Sequence, residues 1–282
     1  MRIGIGLPNT VPGGGDVLTP WARLADEGPF SSLGVLDRIV FDSFDPFAGL
    51  AAAAAVTGRI SLVTMVAIGP LRPAVLLAKQ AASVDALSGG RLVLGLSIGA
   101  REDDYTATGV SRGDRGERFS RQLVELRDAW ESERVGPRTR AGEGPPVLVG
   151  GLSGVSFARM ARSGDGYVHG GGPPRAFASA AGRAFAAWED FERPGRPQLW
   201  GQSYFVLGDE EAQTAGERYL LDYYAFTGPF AERIAATNLT SARAILDHVR
   251  GYEDAGCDEL ILLPTVASLD QIGRLANALA RA

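Results

Sequence analysis

The stretch Ile60–Ala100, ISLVTMVAIGPLRPAVLLAKQAASVDALSGGRLVLGLSIGA, decides the fold. Ile60 to Val66 is β-branched and aliphatic, Pro73 to Leu87 is alanine-rich with apolar residues at helical spacing, and Arg91 to Ile98 is again a short apolar run. This reads as one βαβ unit. Parallel strands need a crossover of about a dozen residues, and strands apolar on both faces need cover on both, so the sheet is predicted to be parallel and flanked by helices.

Outward from this unit the period repeats. Upstream, Arg2 to Leu7 reads as the first strand, followed by a helix over about Asp16 to Glu27, and Ser32 to Leu36 as the second, followed by a helix that Asp45-Pro46 opens. Downstream, Glu102 to Tyr105 is an acidic segment before an Arg- and Gly-rich loop and a helix over Glu117 to Glu131. Gly136 to Pro146 reads as a linker. Val147 to Val149, Tyr167 to His169, Gln198 to Leu207 and Glu259 to Leu263 supply strands five to eight. Helices are predicted after each, two of them after strand seven. The expectation is a single domain over residues 1–282, an α/β (β/α)8 TIM barrel with insertions after strands four and seven. A doubly wound sheet is the alternative, but the first strand-to-helix turn lacks G-x-G-x-x-G.

The 282 residues carry a net charge of -5 and 45% hydrophobic residues, an acidic composition that points away from nucleic acid or an anionic membrane as partner. No run of about 18 apolar residues occurs, so no membrane span is expected. Met1-Arg2 leads straight into a strand, so no signal peptide is expected, and the single cysteine, Cys257, fits a reducing cytoplasm.

In such a barrel chemistry belongs to the C-terminal ends of the strands. There the sequence offers Asp37-Arg38, Met65-Val66-Ala67, Ser97-Ile98-Gly99, Gly150-Gly151-Leu152-Ser153, His169-Gly170 and Gln202 to Phe205. Gly150 to Ser153 sets small residues and a hydroxyl at a helix start, where amides and the dipole favour phosphate, though alone it reads as an ordinary capped turn. His169 stands at a strand end, whereas His248 falls in a helix and is expected at the surface. No HExxH, CxxC or carboxylate cluster has ligand spacing, so no protein-bound metal is expected. The spacing of Gly151-Leu152-Ser153-Gly154 departs from a nucleophile elbow, which argues against a hydrolase.

These segments together resemble the bacterial luciferase-like monooxygenases and the flavin- or F420-dependent oxidoreductases. The likeness rests on SLGVLDR from Ser32, DPFAGLAAAAAVTGRISLVTMV from Asp45, LAKQAASVDALSGGRLVLGLSIG from Leu77, RGERF from Arg115, VLVGGLSG from Val147 and SGDGYV from Ser163. It implies a barrel binding reduced FMN, or alternatively F420, over its strand ends. A non-proline cis peptide at Met65-Val66 would lie behind the ring, with Ala67, Ser97, Ile98, Gly99 and Gly170 around it. The phosphate would lie on Gly150, Gly151, Leu152 and Ser153.

The chain departs from that pattern at three places. Many members have histidine where this chain has Arg38, whose guanidinium does not exchange protons near neutral pH but would orient an anionic or carbonyl-bearing substrate. Ala100 stands where F420-dependent sugar-phosphate and alcohol dehydrogenases carry a glutamate. Ile98 stands where the light-emitting luciferases carry a phosphate-gripping arginine, a role that would pass to Arg101. The resemblance thus implies an oxidoreductase in which FMN, reduced by a separate reductase and delivered by diffusion, reacts with O2 to oxygenate a small organic substrate. Asp37, Arg38 and His169 are the candidate catalytic residues. F420-dependent hydride transfer and a non-catalytic flavin-binding homologue are the alternatives, and a homodimer through helices two and three is implied.

Overall fold

Each apolar run forms a strand, because a segment apolar on both faces is stable only when neighbours cover both. The computed structural model describes residues 1–132, 135–139 and 142–280. Among these the strands are β1 (Arg2–Gly6), β2 (Ser32–Val35), β3 (Ser61–Thr64), β4 (Ala67–Ile68), β5 (Leu92–Ser97), β6 (Val147–Gly150), β7 (Gly166–His169), β8 (Gln198–Phe205) and β9 (Glu259–Pro264). They pair in the order β3-β2-β1-β9-β8-β7-β6-β5-β4, and β3 also pairs with β5 and closes the sheet into a parallel barrel. The short β4 is the continuation of β3 beyond the Met65-Val66 peptide, which is cis, so the barrel has the eight staves of the predicted (β/α)8 fold.

Closure at this third stave is irregular. Val63 pairs with Val93 and Ala67 with Leu96, so four steps along one chain oppose three along the other, the signature of a bulge. Gly95 sits in that bulge. A β-carbon there would lie 2.1 Å from the Thr64 carbonyl oxygen, so only glycine lets the two strands meet.

The helices are α1 (Leu18–Glu27), α2 (Pro46–Ala54), α3 (Ala74–Ser88), α4 (Glu102–Thr108), α5 (Arg115–Glu131), α6 (Gly154–Ser163), α7 (Pro174–Asp190), α8 (Glu210–Tyr223), α9 (Phe230–Ala235), α10 (Ala242–Asp254) and α11 (Asp270–Leu279). α2 starts where the sequence places it, because Asp45 caps it by accepting from the Phe47 and Ala48 amides and Pro46 needs no donor partner. α4 and α9 are helices that the sequence reading does not contain. Of the linker predicted over Gly136 to Pro146, residues 140 and 141 lie outside the described residues. Among the described residues no helix is long and apolar enough to cross a membrane.

Strand alternation sorts the core into two layers. Tyr167 and Leu199 pack outward under the helices, whereas Val63, Met65, Leu148, Val168, Trp200 and Tyr204 fill the barrel interior. The insertion after β8, built from α8 and α9, adds Tyr219, Leu220, Tyr223 and Ala235 to the interior cluster.

Candidate active site

The β6-to-α6 turn is the most built part of the barrel mouth. Ser153 caps α6, its Oγ accepting from the Ser156 amide at 3.2 Å and pairing with the Ser156 hydroxyl at 2.8 Å. Gly151 holds φ at 136°, and a β-carbon there would lie 2.4 Å from Ser156 Oγ. Small residues, free amides and the positive end of a ten-residue helix make a seat for an anion.

A cavity of about 440 Å³ opens beside that turn, within the range of small-molecule sites. The cis peptide Met65-Val66 and the Ser97-Ile98-Gly99 turn line one part of it, Gly150 to Ser153 another, and Val168, Gly170 and Gln202 carry the lining on to β7 and β8. Its charged lining is positive: Arg112, exposed, and Arg115, half-buried at the start of α5. Arg115 Nη1 donates to the Arg112 carbonyl at 2.7 Å, and its Nε is buried with no partner. A buried donor at a wall without carboxylates suits an anionic ligand.

The structure brings Met65, Val66, Ser97, Ile98, Gly99, Gly150, Gly151, Leu152, Ser153 and Gly170 to this cavity and leaves five other candidates outside it. Ala67 is fully buried in the layer beneath the helices. Asp37 is tied in the wall: its carboxylate accepts from the Ile68 amide at 2.8 Å and forms a two-pronged ion pair with Arg72 at 2.6 and 3.1 Å. Arg38 is buried against Asp103 and Asp104 at 3.0 and 3.3 Å. Arg101 donates to the Tyr223 carbonyl at 2.6 Å and is sandwiched by the Tyr223 and Phe226 rings at 4.3 and 4.1 Å. His169 follows the outward parity of Tyr167, meets its hydroxyl at 3.1 Å through Nδ1, and packs edge-on against Phe177. Asp37, Arg38 and His169 thus lie outside the lining of this cavity, each engaged by the neighbours just named.

Ala100, Arg112, Arg115, Ser156 and Val168 complete the cavity without having been proposed as site residues, as does Gln202, which the sequence placed at a strand end but gave no role. For Val168 and Gln202 the signal was strand parity: the neighbour of an outward Tyr167 faces inward, and Gln202 shares the parity of Trp200 and Tyr204. Arg112 comes from a loop and Arg115 from the first residue of α5, where no periodicity orients them.

Over β1, β9 and the end of β8 the mouth is filled rather than open. Tyr204 and Tyr224 join hydroxyls at 2.9 Å, Thr10 meets the Tyr219 hydroxyl at 2.7 Å, and burial raises the Tyr204 and Tyr219 phenols well above their ordinary pKa and raises that of Tyr224 too. They remain neutral hydrogen-bonding groups.

His248 is not the surface residue the sequence suggested. It is partly buried, bonds the Ser203 hydroxyl at 2.6 Å and stacks on Tyr252, and burial lowers its pKa to about 4. Burial lowers that of His169 as well. A histidine held neutral in the fold stabilises it fully above its unfolded pKa of about 6.5 and loses that contribution as pH falls through the interval down to its folded value. Acidification from pH 6.5 to pH 4 is expected to remove on the order of 1–2 kcal/mol through His248, after allowance for its partial exposure. In His248→Gln the urea midpoint is expected to fall less over that interval than in the parent; equal slopes would remove His248 from the account.

Comparison with known proteins agrees with this geometry. The family model described as luciferase-like monooxygenase matches residues 1–274. An uncharacterized protein of Mycobacterium tuberculosis is 31% identical over 189 residues, covering 55% of this chain and 65% of its own length. The pyrimidine monooxygenase RutA of Cronobacter sakazakii is 32% identical over 202 residues, covering 63% of this chain and 56% of its own length. The chain thus spans less than two thirds of either relative. Among solved structures, the monooxygenase RslO1 from Streptomyces bottropensis superposes with a TM-score of 0.81 at 24% identity, covering 100% of this chain and 98% of that one. An F420-dependent secondary alcohol dehydrogenase superposes with a TM-score of 0.80 at 14% identity, covering 98% and 97%; at these identities the two likenesses speak to the fold. With its closed barrel, its cis peptide at the third stave and a family match over nearly its whole length, the chain belongs to the luciferase-like monooxygenase family.

Proposed function

We propose that this protein is a flavin-dependent oxidoreductase that uses reduced FMN, delivered by diffusion from a separate reductase, and O2 to oxygenate a small organic substrate. The observation that carries the reading is the juxtaposition of an anion seat, formed by Gly151, Ser153, Ser156, Arg112 and Arg115, with a cavity walled by the Met65-Val66 peptide. The residues present fit a phosphate-bearing planar cofactor: glycines where a ring must approach, an orphaned guanidinium donor at the anionic end, and apolar Met65, Val66, Ile98 and Val168 along the walls.

Bound reduced flavin supplies the electrons and the reactivity toward oxygen. The chain's part is to hold and shield. The α6 amides and Arg115 anchor the phosphate, Met65 and Val66 support the ring, and the apolar lining excludes water. Among the described residues the cavity lining contains no histidine, aspartate or glutamate. Hydride transfer to a carbonyl calls for an acid to protonate the oxygen. The lining therefore favours the FMN reading over F420-dependent alcohol chemistry. Val75 and Leu76, exposed on α3, support assembly as a homodimer through that face.

Titration with FMN and with F420, each oxidised and reduced, is the direct test. Micromolar FMN binding is expected, and binding of F420 with none of FMN would overturn the proposal. Arg115→Ala is expected to weaken FMN about tenfold, the worth of one charge-assisted hydrogen bond, and to leave riboflavin, which lacks the phosphate, unchanged. Fluorescence quenching reads both.

A further inference from the structure

Gln202 is the one polar side chain that strand β8 sends into the barrel at the level of the cavity. It is 6% exposed, lies between the inward-facing Trp200 and Tyr204, and lines the cavity across from the cis peptide wall. Its Nε2 donates to the Gly170 carbonyl at 3.2 Å. That bond fixes the amide, because the reverse orientation would set two acceptors against each other. Its Oε1 is buried and has no partner. An acceptor held inside a barrel wall and left unpaired is costly, so its presence marks the place of a donor that the chain does not provide.

We infer that Gln202 Oε1 accepts a hydrogen bond from the imide N–H of the cofactor's pyrimidine ring, an inference that rests on the cofactor reading above. The placement proposed above and two chemical facts select that donor. With the phosphate and ribityl chain held among the arginines and α6, on the β6 side, the ring system is what would reach β7 and β8. The imide N–H is present in the oxidised and the reduced ring alike, whereas the other ring N–H groups appear only on reduction, and a buried acceptor needs its partner in both states. The imide is also common to flavins and deazaflavins. Gln202 is then a positioning residue: the Gly170 turn holds its amide, and the amide sets the in-plane rotation of the ring against Met65 and Val66.

The test compares FMN with 3-methyl-FMN, which lacks the imide N–H, on the parent protein and on Gln202→Ala and Gln202→Met. Dissociation constants and the absorbance shift of the bound ring are the readouts. Both variants are expected to weaken FMN about tenfold and to leave 3-methyl-FMN unchanged, with the imide-sensitive part of the spectral shift lost. Unchanged FMN affinity in the variants would overturn the inference. So would an equal loss for the two ligands, which is the mark of a residue that merely supports the Gly170 turn. If the parent binds F420 and not FMN, the monooxygenase reading fails while this inference stays testable with F420 and its imide-methylated form, on the same pattern of outcomes.

Discussion

Replacing Arg72 with alanine is expected to destabilise the fold by about 3–5 kcal/mol, the loss typical of leaving one member of a buried ion pair alone. Burial lowers the Arg72 pKa, but the Asp37 carboxylate, with further bonds to Asp37 and Asp45, outweighs it and raises the value overall. The guanidinium joins two pieces of chain that meet at the third stave, and the residue's backbone ties in a third. It grips Asp37 after β2, it bonds at 3.0 Å to Asp45, the residue that caps α2, and its own backbone carbonyl accepts from Gln122 of α5 at 2.7 Å. Without it, Asp37 keeps only the Ile68 amide while remaining fully shielded from water. Urea unfolding followed by tryptophan fluorescence reads the loss. Arg72→Lys is expected to fall between parent and alanine, because an ammonium restores charge without the two-pronged geometry. A change of under 1 kcal/mol in Arg72→Ala would contradict the account. The same reasoning assigns Asp37 to stability: Asp37→Ala should shift the unfolding midpoint far more than it shifts cofactor affinity.

Gly151→Val is expected to act in the opposite way, with a modest fall in stability and a loss of FMN affinity of about 100-fold. A side chain at φ of 136° costs about 1–3 kcal/mol in backbone strain. Its β-carbon would also lie 2.4 Å from Ser156 Oγ and 2.7 Å from Ser156 Cβ, a contact that a rotation of the hydroxyl does not relieve. The turn relaxes by swinging off the α6 terminus, and the anion seat disperses. Gly154, three residues on, is the control: nothing lies within 4 Å of a β-carbon built there, so Gly154→Ala should bind FMN as the parent does. If Gly151→Val binds FMN normally, the phosphate does not sit at this turn.

The barrel was legible in the sequence because its strands are continuous apolar runs set off by Gly and Pro, and because Pro73 to Leu87 repeats at helical spacing between two of them. α4 was not, since its seven residues have no apolar period. It is held by Asp104, which accepts from the Ile39 and Val40 amides across the mouth, contacts 65 and 64 residues apart in sequence. The same limit separates the cavity wall from the candidates that lie outside it. Backbone turns after strands three to six fall where the fold puts them, so Ser97 to Gly99 and Gly150 to Ser153 reach the cavity. Charged side chains go where their partners are, and nothing local to Asp37, Arg38 or Arg101 announces Arg72, Asp103 or the Tyr223 carbonyl. His169 was within reach of parity, since a residue two along from an outward tyrosine also faces out.

The aromatic filling of half the mouth bears on traffic as well as on packing. Tyr219, Tyr223 and Leu220 are part of the interior cluster, and Arg38 and Arg101 both approach the Tyr223 carbonyl, so lifting the α8–α9 segment would strip several buried rings at once. A ligand of the cavity would then exchange past the opposite rim, where Arg112 stands exposed. An anion arriving by that route meets positive charge before it meets the wall, and its capture rate becomes a property that salt can slow without altering the shape of the site.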